Sequence, residues 1–115
     1  MTQQFIRDMF HNIDNRDFEK LRDFFTDDVV YERPGYEPIR GIEDLLHFYR
    51  EVRVIALGKH GLTRVVVDED SGASWGRFAG EHRNGKALDV RFADVYTFEN
   101  GRIKTRASYF FEPSV

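Results

Sequence analysis

The run LDVRFADVYTF at residues 88–98 sets one carboxylate where strand alternation calls for an apolar side chain. Val90, Phe92, Tyr96 and Phe98 share a parity with Asp94 in its middle, while Asp89, Arg91, Ala93, Val95 and Thr97 form the more polar side. Desolvation disfavours the charged form of a carboxyl, so one ringed by Phe92, Tyr96 and Phe98 can become a hydrogen-bond donor. The structural alternative is a buried ion pair with Arg77 or Arg106. His60, in GKHGL, is the second candidate, because imidazole titrates near neutrality and suits both acid and base work. Arg77 shares a parity with Trp75, Ala79 and Glu81. With Trp75 turned into a cavity, Arg77 and Glu81 follow it and Arg77 can orient a ligand oxygen; the opposite arrangement turns Phe78 inward instead. The hydroxyls of Tyr31, Tyr36, Tyr49 and Tyr109 are further orienting groups, or else core with one satisfied hydrogen bond each. His11, beside the apolar stripe of the first helix, is a weaker candidate.

Composition narrows the chemistry these groups can serve. A chain of 115 residues with 41% hydrophobic content supports a single domain, 1–115, with one core. Charged residues make up 32% but nearly cancel, to a net charge of −3, so no excess of positive charge exists to hold nucleic acid or an anionic membrane surface. The absence of cysteine excludes a disulfide framework, a thiol nucleophile and a thiolate metal site, and suits a reducing compartment. His11, His47, His60 and His82 lack metal-ligand spacing such as H-x-x-x-H, and no G-x-G-x-x-G, P-loop or G-x-S-x-G occurs, so neither metal nor cofactor is expected. The opening MTQQFIRDMFHNID has no continuous apolar core, and no run approaches the ~18 apolar residues of a membrane helix. A cytoplasmic location is expected.

The elements that must position these groups change type along the chain. Ile6, Met9, Phe10 and Ile13 recur at helical spacing; Phe18, Leu21, Phe24 and Phe25 restart the pattern after a candidate N-cap, Asp17. A short strand and a Pro and Gly loop follow in TDDVVYERPGYEPIRG. A third helix begins near Ile42, with Leu45, Leu46, Tyr49 and Val52 on its apolar side. Four β-type runs come next: LTRVVVD, SWGRFAGEH, LDVRFADVYTF and RIKTRASYFF. Their connections include RNGK and ENGR, and Asn-Gly between strands is a strong hairpin signal, so the four form an antiparallel meander. Helices first and hairpins second is an α+β pattern. Ile103, Ala107, Tyr109 and Phe111 give the last strand a second apolar parity, which points to a homodimer packed sheet to sheet.

In this arrangement the chain resembles the nuclear transport factor 2-like superfamily, in its ketosteroid isomerase and SnoaL-like polyketide cyclase branch. The resemblance rests on the G-x-x-x-x-x-x-F-Y-R run at Gly41 to Arg50 and the D-V-x-x-F-x-x-G-R-I run at Asp94 to Ile103. It implies a cone-shaped fold, three N-terminal helices packed on a curved, mainly antiparallel sheet that encloses an apolar pocket, and homodimers through the outer sheet face. It also implies a role for Asp94, which matches the aspartate of ketosteroid isomerases, the established case of a carboxylic acid kept neutral by burial so that it donates to an oxyanion. His60 falls roughly where dehydratases of the superfamily carry a catalytic histidine. Two departures count against steroid isomerisation. Arg33 stands where the proton-shuttling aspartate would fall, and an arginine is no general base at neutral pH; Met9 stands where the second oxyanion donor, a tyrosine, would fall. Glu32 takes over the base role only if the strand register slips.

The expected function is therefore a cofactor-independent isomerase, cyclase or dehydratase of SnoaL-like type acting on a small, largely apolar, oxygenated molecule. Asp94 and His60 are the catalytic candidates. Arg77, Trp75, Tyr49, Glu32, Phe92 and Arg106 are the substrate-binding ones. The alternative is a noncatalytic ligand-binding or dimerisation module on the same fold.

Overall fold

The computed structural model describes residues 1–112. Helix α1 (Gln3–Asp14) starts where the Thr2 hydroxyl accepts from the Phe5 N–H at 3.1 Å, and it buries Ile6, Met9, Phe10 and Ile13. The second helix of the sequence reading is shorter and tighter than expected. Residues Phe18–Asp23 form a 3₁₀ helix, Asp17 makes no side-chain cap, and Phe25 already opens strand β1 (Phe25–Glu32). A 3₁₀ turn brings Phe18 and Leu21, three apart, onto one side, which suffices to seat both in the core.

After β1 the chain runs through β2 (Ile39–Arg40) into α2 (Ile42–His47), which loosens into a π-helical turn, Phe48–Val52. The Arg53 N–H reaches back five residues to the Phe48 carbonyl at 2.8 Å. The wider turn rotates the following side chains relative to a regular helix, so Phe48 and Tyr49 are both buried while Val52, expected on the apolar side, is exposed.

The meander is β3 (Ile55–Val67), β4 (Ser71–His82), β5 (Ala87–Glu99) and β6 (Arg102–Phe110). The sheet order is β2-β1-β6-β5-β4-β3, antiparallel at every pairing except β1 with β6. Asn100 and Gly101, in the tight turn between β5 and β6, both adopt positive φ, as an Asn-Gly hairpin requires. The fold is thus mixed α+β, with one open, mostly antiparallel six-stranded sheet and helices against one of its faces.

Strand β3 begins well before the expected LTRVVVD, because GKHGL is part of the ladder. Glycine is a poor strand former, but at Gly58 a Cβ would lie 2.0 Å from the Phe78 ring, so the bare backbone makes room for that ring. Register shifts between Ile55 and Leu57 and between Leu62 and Arg64 bracket His60. They switch the inward parity, from Ile55 to the even-numbered residues and back to Val65. A third shift, between Thr97 and Phe98 opposite the start of β6, puts Ile103 in the core; of the second apolar parity only Ala107 and Tyr109 of β6, with Phe111 just beyond it, stay outside the core.

Candidate functional site

The inward residues of β5 and β6 carry polar groups into the centre of the molecule. Asp94, opposite Ser108 in the β5–β6 register, is buried at 1% exposure, and Arg106, opposite Tyr96, is buried at 4%. Arg106 donates to Asp94 Oδ2 from Nη2 at 2.9 Å and from Nε at 3.2 Å, forming a buried ion pair. Its Nη1 donates to the Tyr49 hydroxyl at 2.7 Å, and its guanidinium lies 4.5 Å from the Tyr31 ring centre. Burial lowers the Arg106 pKa, yet Asp94 and the neighbouring phenols outweigh it and hold the guanidinium well above its ordinary value. The Tyr96 hydroxyl meets Ser74 at 2.8 Å and Asp94 Oδ2 at 3.4 Å. Asp94 Oδ1 is buried with no hydrogen-bond partner.

His60 approaches from the adjacent side of the sheet. Its ring is packed among Phe10, Phe78 and Phe92, with centres 4.6, 4.7 and 5.2 Å away. Asp14, the last residue of α1, grips it twice. Asp14 Oδ2 accepts from the His60 backbone N–H at 2.8 Å, and Oδ1 lies 2.5 Å from Nδ1. A carboxylate at Nδ1 fixes the tautomer with the proton there, leaving Nε2 as the lone-pair nitrogen. Nε2 has no hydrogen bond among the described residues. Burial lowers the His60 pKa below 6.5, and the opposing pull of Asp14 does not restore it, so the imidazole is neutral at neutral pH.

One interior cavity joins these groups. Tyr31, Arg33, Tyr49, Arg53, His60, Phe92, Asp94, Arg106 and Ser108 all line it, with Ile55, Phe78 and Phe110 completing the wall. Its volume is about 10 Å³, roughly the room one water needs. This lining is rich in charge and hydroxyls, unlike the apolar pocket that the resemblance implies. The Tyr31 hydroxyl pairs with Ser108 at 2.7 Å and receives Arg33 at 3.2 Å. Burial raises the Tyr31 pKa, but Arg106 and Arg33 prevail and leave it lower than an ordinary phenol, while burial leaves Tyr49 raised.

The structure therefore brings together Asp94, His60, Tyr49, Phe92 and Arg106. It does not bring Arg77, Trp75 or Glu32 to them. Phe78 takes the inward parity of β4, which turns Trp75 and Arg77 to the outer face, where Arg77 pairs with Asp89 at 2.9 Å. Glu32 is exposed because its neighbours Tyr31 and Arg33 occupy the interior. For Asp94 the structure shows the ion-pair contact rather than a hydrogen bond donated to a ligand. Its Oδ2 accepts from Arg106, the ion-pair alternative, and Arg106 rather than Arg77 is the partner.

Sequence reasoning missed Asp14 and Arg53. A carboxylate ending a helix opposes the helix dipole, and that was the available signal for Asp14. Arg53 had none, because only the π-helical turn directs it inward. No cluster of three His, Asp or Glu side chains among the described residues could hold a metal ion. No helix among them is long and apolar enough to cross a membrane.

Comparison with known proteins fits this architecture. Among solved structures, an NTF2-like protein of unknown function from Burkholderia pseudomallei superposes with TM-score 0.86 at 22% identity, covering 96% of this chain and 92% of its own. A protein named as a SnoaL-like polyketide cyclase, from Jannaschia sp., gives 0.82 at 14%, covering 94% and 83%. An LEH-like epoxide hydrolase of M. tuberculosis gives 0.79 at 20%, covering 93% and 80%. No curated protein matches the chain by sequence. The SnoaL-like domain profile matches residues 6–106, nearly the whole length, and the chain belongs to the SnoaL-like family.

Proposed function

We propose that this protein is a cofactor-independent enzyme that moves protons on a small oxygenated molecule, as an isomerase, cyclase or dehydratase. The observation that carries this reading is the His60–Asp14 dyad, with its unpartnered Nε2, in the wall of a cavity that also holds Tyr49. His60 Nε2 accepts a proton from a carbon next to a carbonyl, and the Asp14 carboxylate stabilises the imidazolium that forms. The Tyr49 oxygen accepts from Arg106, so its own O–H is left to donate to the developing oxyanion. Its raised pKa keeps the phenol protonated for that task. The proton returns from Nε2 to a second carbon or to a leaving oxygen, which decides between isomerisation and dehydration. Asp94 acts through Arg106 as a positioning residue. Because the cavity has room for about one water, substrate is admitted only as lining side chains move apart.

Two structural relatives carry enzyme names, one a polyketide cyclase and one an epoxide hydrolase, which supports an enzymatic reading of this cavity. The test is deuterium wash-in. Ketones and β-dicarbonyls incubated with the protein in D₂O should exchange their acidic C–H positions faster than with His60→Gln protein. Equal exchange by both would sink the reading.

A homodimer belongs to the same proposal. The outer sheet face exposes Trp75, Val95, Tyr109 and Phe111, and Trp75, Tyr109 and Phe111 line a groove of about 500 Å³ there. A second copy packed on this face would cover that apolar surface. Light scattering should return twice the 13.6 kDa chain mass at tens of micromolar, and a monomer mass would refute it.

A further inference from the structure

Arg53 is a buried cation that the chemistry above leaves unused. It is 6% exposed, it lines the cavity with His60 and Asp94, and its Nε has no hydrogen-bond acceptor. Its guanidinium rests against the rings of Tyr49 and Phe78, at 5.3 and 5.7 Å. Among the described residues no carboxylate pairs with it; Asp94 in the cavity wall is committed to Arg106, and Asp14 to His60. Burial lowers its pKa to about 10, which still leaves it charged at neutral pH. An uncompensated charge in the interior is costly, and ring faces offset only part of that cost. The π-helical turn, a wide turn often found at functional sites, delivers this side chain to the wall.

A planar guanidinium with open donors matches a carboxylate, which can accept two parallel N–H bonds from it. Phe78 also packs against His60, with ring centres 4.7 Å apart, so an anion at Arg53 lies on the same wall as the proposed base. We propose that the substrate of this site is a small carboxylic acid in its anionic form, whose carboxylate is bound by Arg53 so that a carbon further along is presented to His60 Nε2. This rests on the reading of His60 as the base and refines the expected ligand, oxygenated and largely apolar, to one carrying a negative charge.

Formate and acetate serve as probes, with formamide and acetamide as neutral isosteres, in titrations at constant ionic strength followed by the ¹⁵N resonance of Arg53 Nε. Saturable shifts are expected with the carboxylates, at an affinity about tenfold or more above the amides, as bonds to a charged donor imply. Arg53→Gln should abolish the preference in a titration followed by melting temperature, and Arg53→Lys should keep part of it. The wild-type titration stands without the variants should either fail to fold. No saturable carboxylate response, or an equal response to the amides, overturns the proposal and makes Arg53 a strut between two rings. Repeating the titration on His60→Gln protein separates the two readings. Carboxylate binding without deuterium wash-in by the wild type keeps the anion site and removes the base, whereas wash-in without carboxylate binding does the reverse.

Discussion

The His60–Asp14 and Asp94–Arg106 pairs border the same cavity, and each joins an aspartate to a nitrogen base. Their side chains differ in burial, 9% and 14% exposed in the first pair against 4% and 1% in the second. They differ more in what is left over. The imidazole gives one nitrogen to Asp14 and keeps the other free, whereas Arg106 spreads its donors over Asp94 and Tyr49. A histidine that can lose or gain a proton near neutrality is suited to transfer; a guanidinium that stays charged is suited to hold others in place. On the proposed reading, the first pair serves proton transfer and the second holds the phenols around it.

Asp94→Asn should produce the largest effect on the fold. It strips the charge from the partner of a desolvated guanidinium, at a cost of roughly 3 to 5 kcal/mol in urea melts. Replacing both members, Asp94→Asn with Arg106→Met, should recover part of that loss, since no charge is left stranded. An unchanged melt for Asp94→Asn would mean the ion pair does not govern stability.

His60→Gln should act on turnover instead. Proton exchange should fall by about 100- to 10,000-fold, with Asp14→Asn giving a smaller loss because the ring keeps its place in the aromatic cluster. Equal loss of stability in His60→Gln and Asp94→Asn would erase the distinction between the two pairs.

Acid should reveal the histidine as well. Its folded-state pKa lies below the unfolded value of 6.5, so as pH falls the unfolded chain takes up the proton first. The contribution of His60 to stability is complete above pH 6.5 and is lost as pH drops from there toward the folded pKa. The difference in melting temperature between wild type and His60→Gln should shift across that window, and a flat difference would contradict it.

The smallest effect belongs to the outer face. Arg77 and Asp89 form an ion pair more than half exposed, so Arg77→Ala should cost about 0 to 1 kcal/mol and leave proton exchange unchanged. A large loss of exchange would return Arg77 to the site from which the strand parity removes it.

Much of the scaffold was legible because periodicity is a local property. The α1 stripe, the inward parity of β5 with Asp94 in it, and the Asn-Gly hairpins all follow from spacing that neighbours along the chain impose. Which of two strand faces turns inward is not local when both carry large rings, and on β4 Trp75 and Phe78 compete for the core. Gly58 settles it by leaving space on β3 for the Phe78 ring alone. Bulges that redirect His60 and a helical turn that redirects Arg53 are equally invisible in residue spacing, since each inserts one residue whose effect depends on what lies opposite. The sequence alone determined the α+β order, the meander and the burial of Asp94. Only the tertiary structure decided that Asp94 meets Arg106, that Asp14 grips His60 from 46 residues away, and that Arg53 has no anion of its own among the described residues. Pairings between distant residues are set by packing in three dimensions, where burial makes an unpaired charge costly and so gives it consequence.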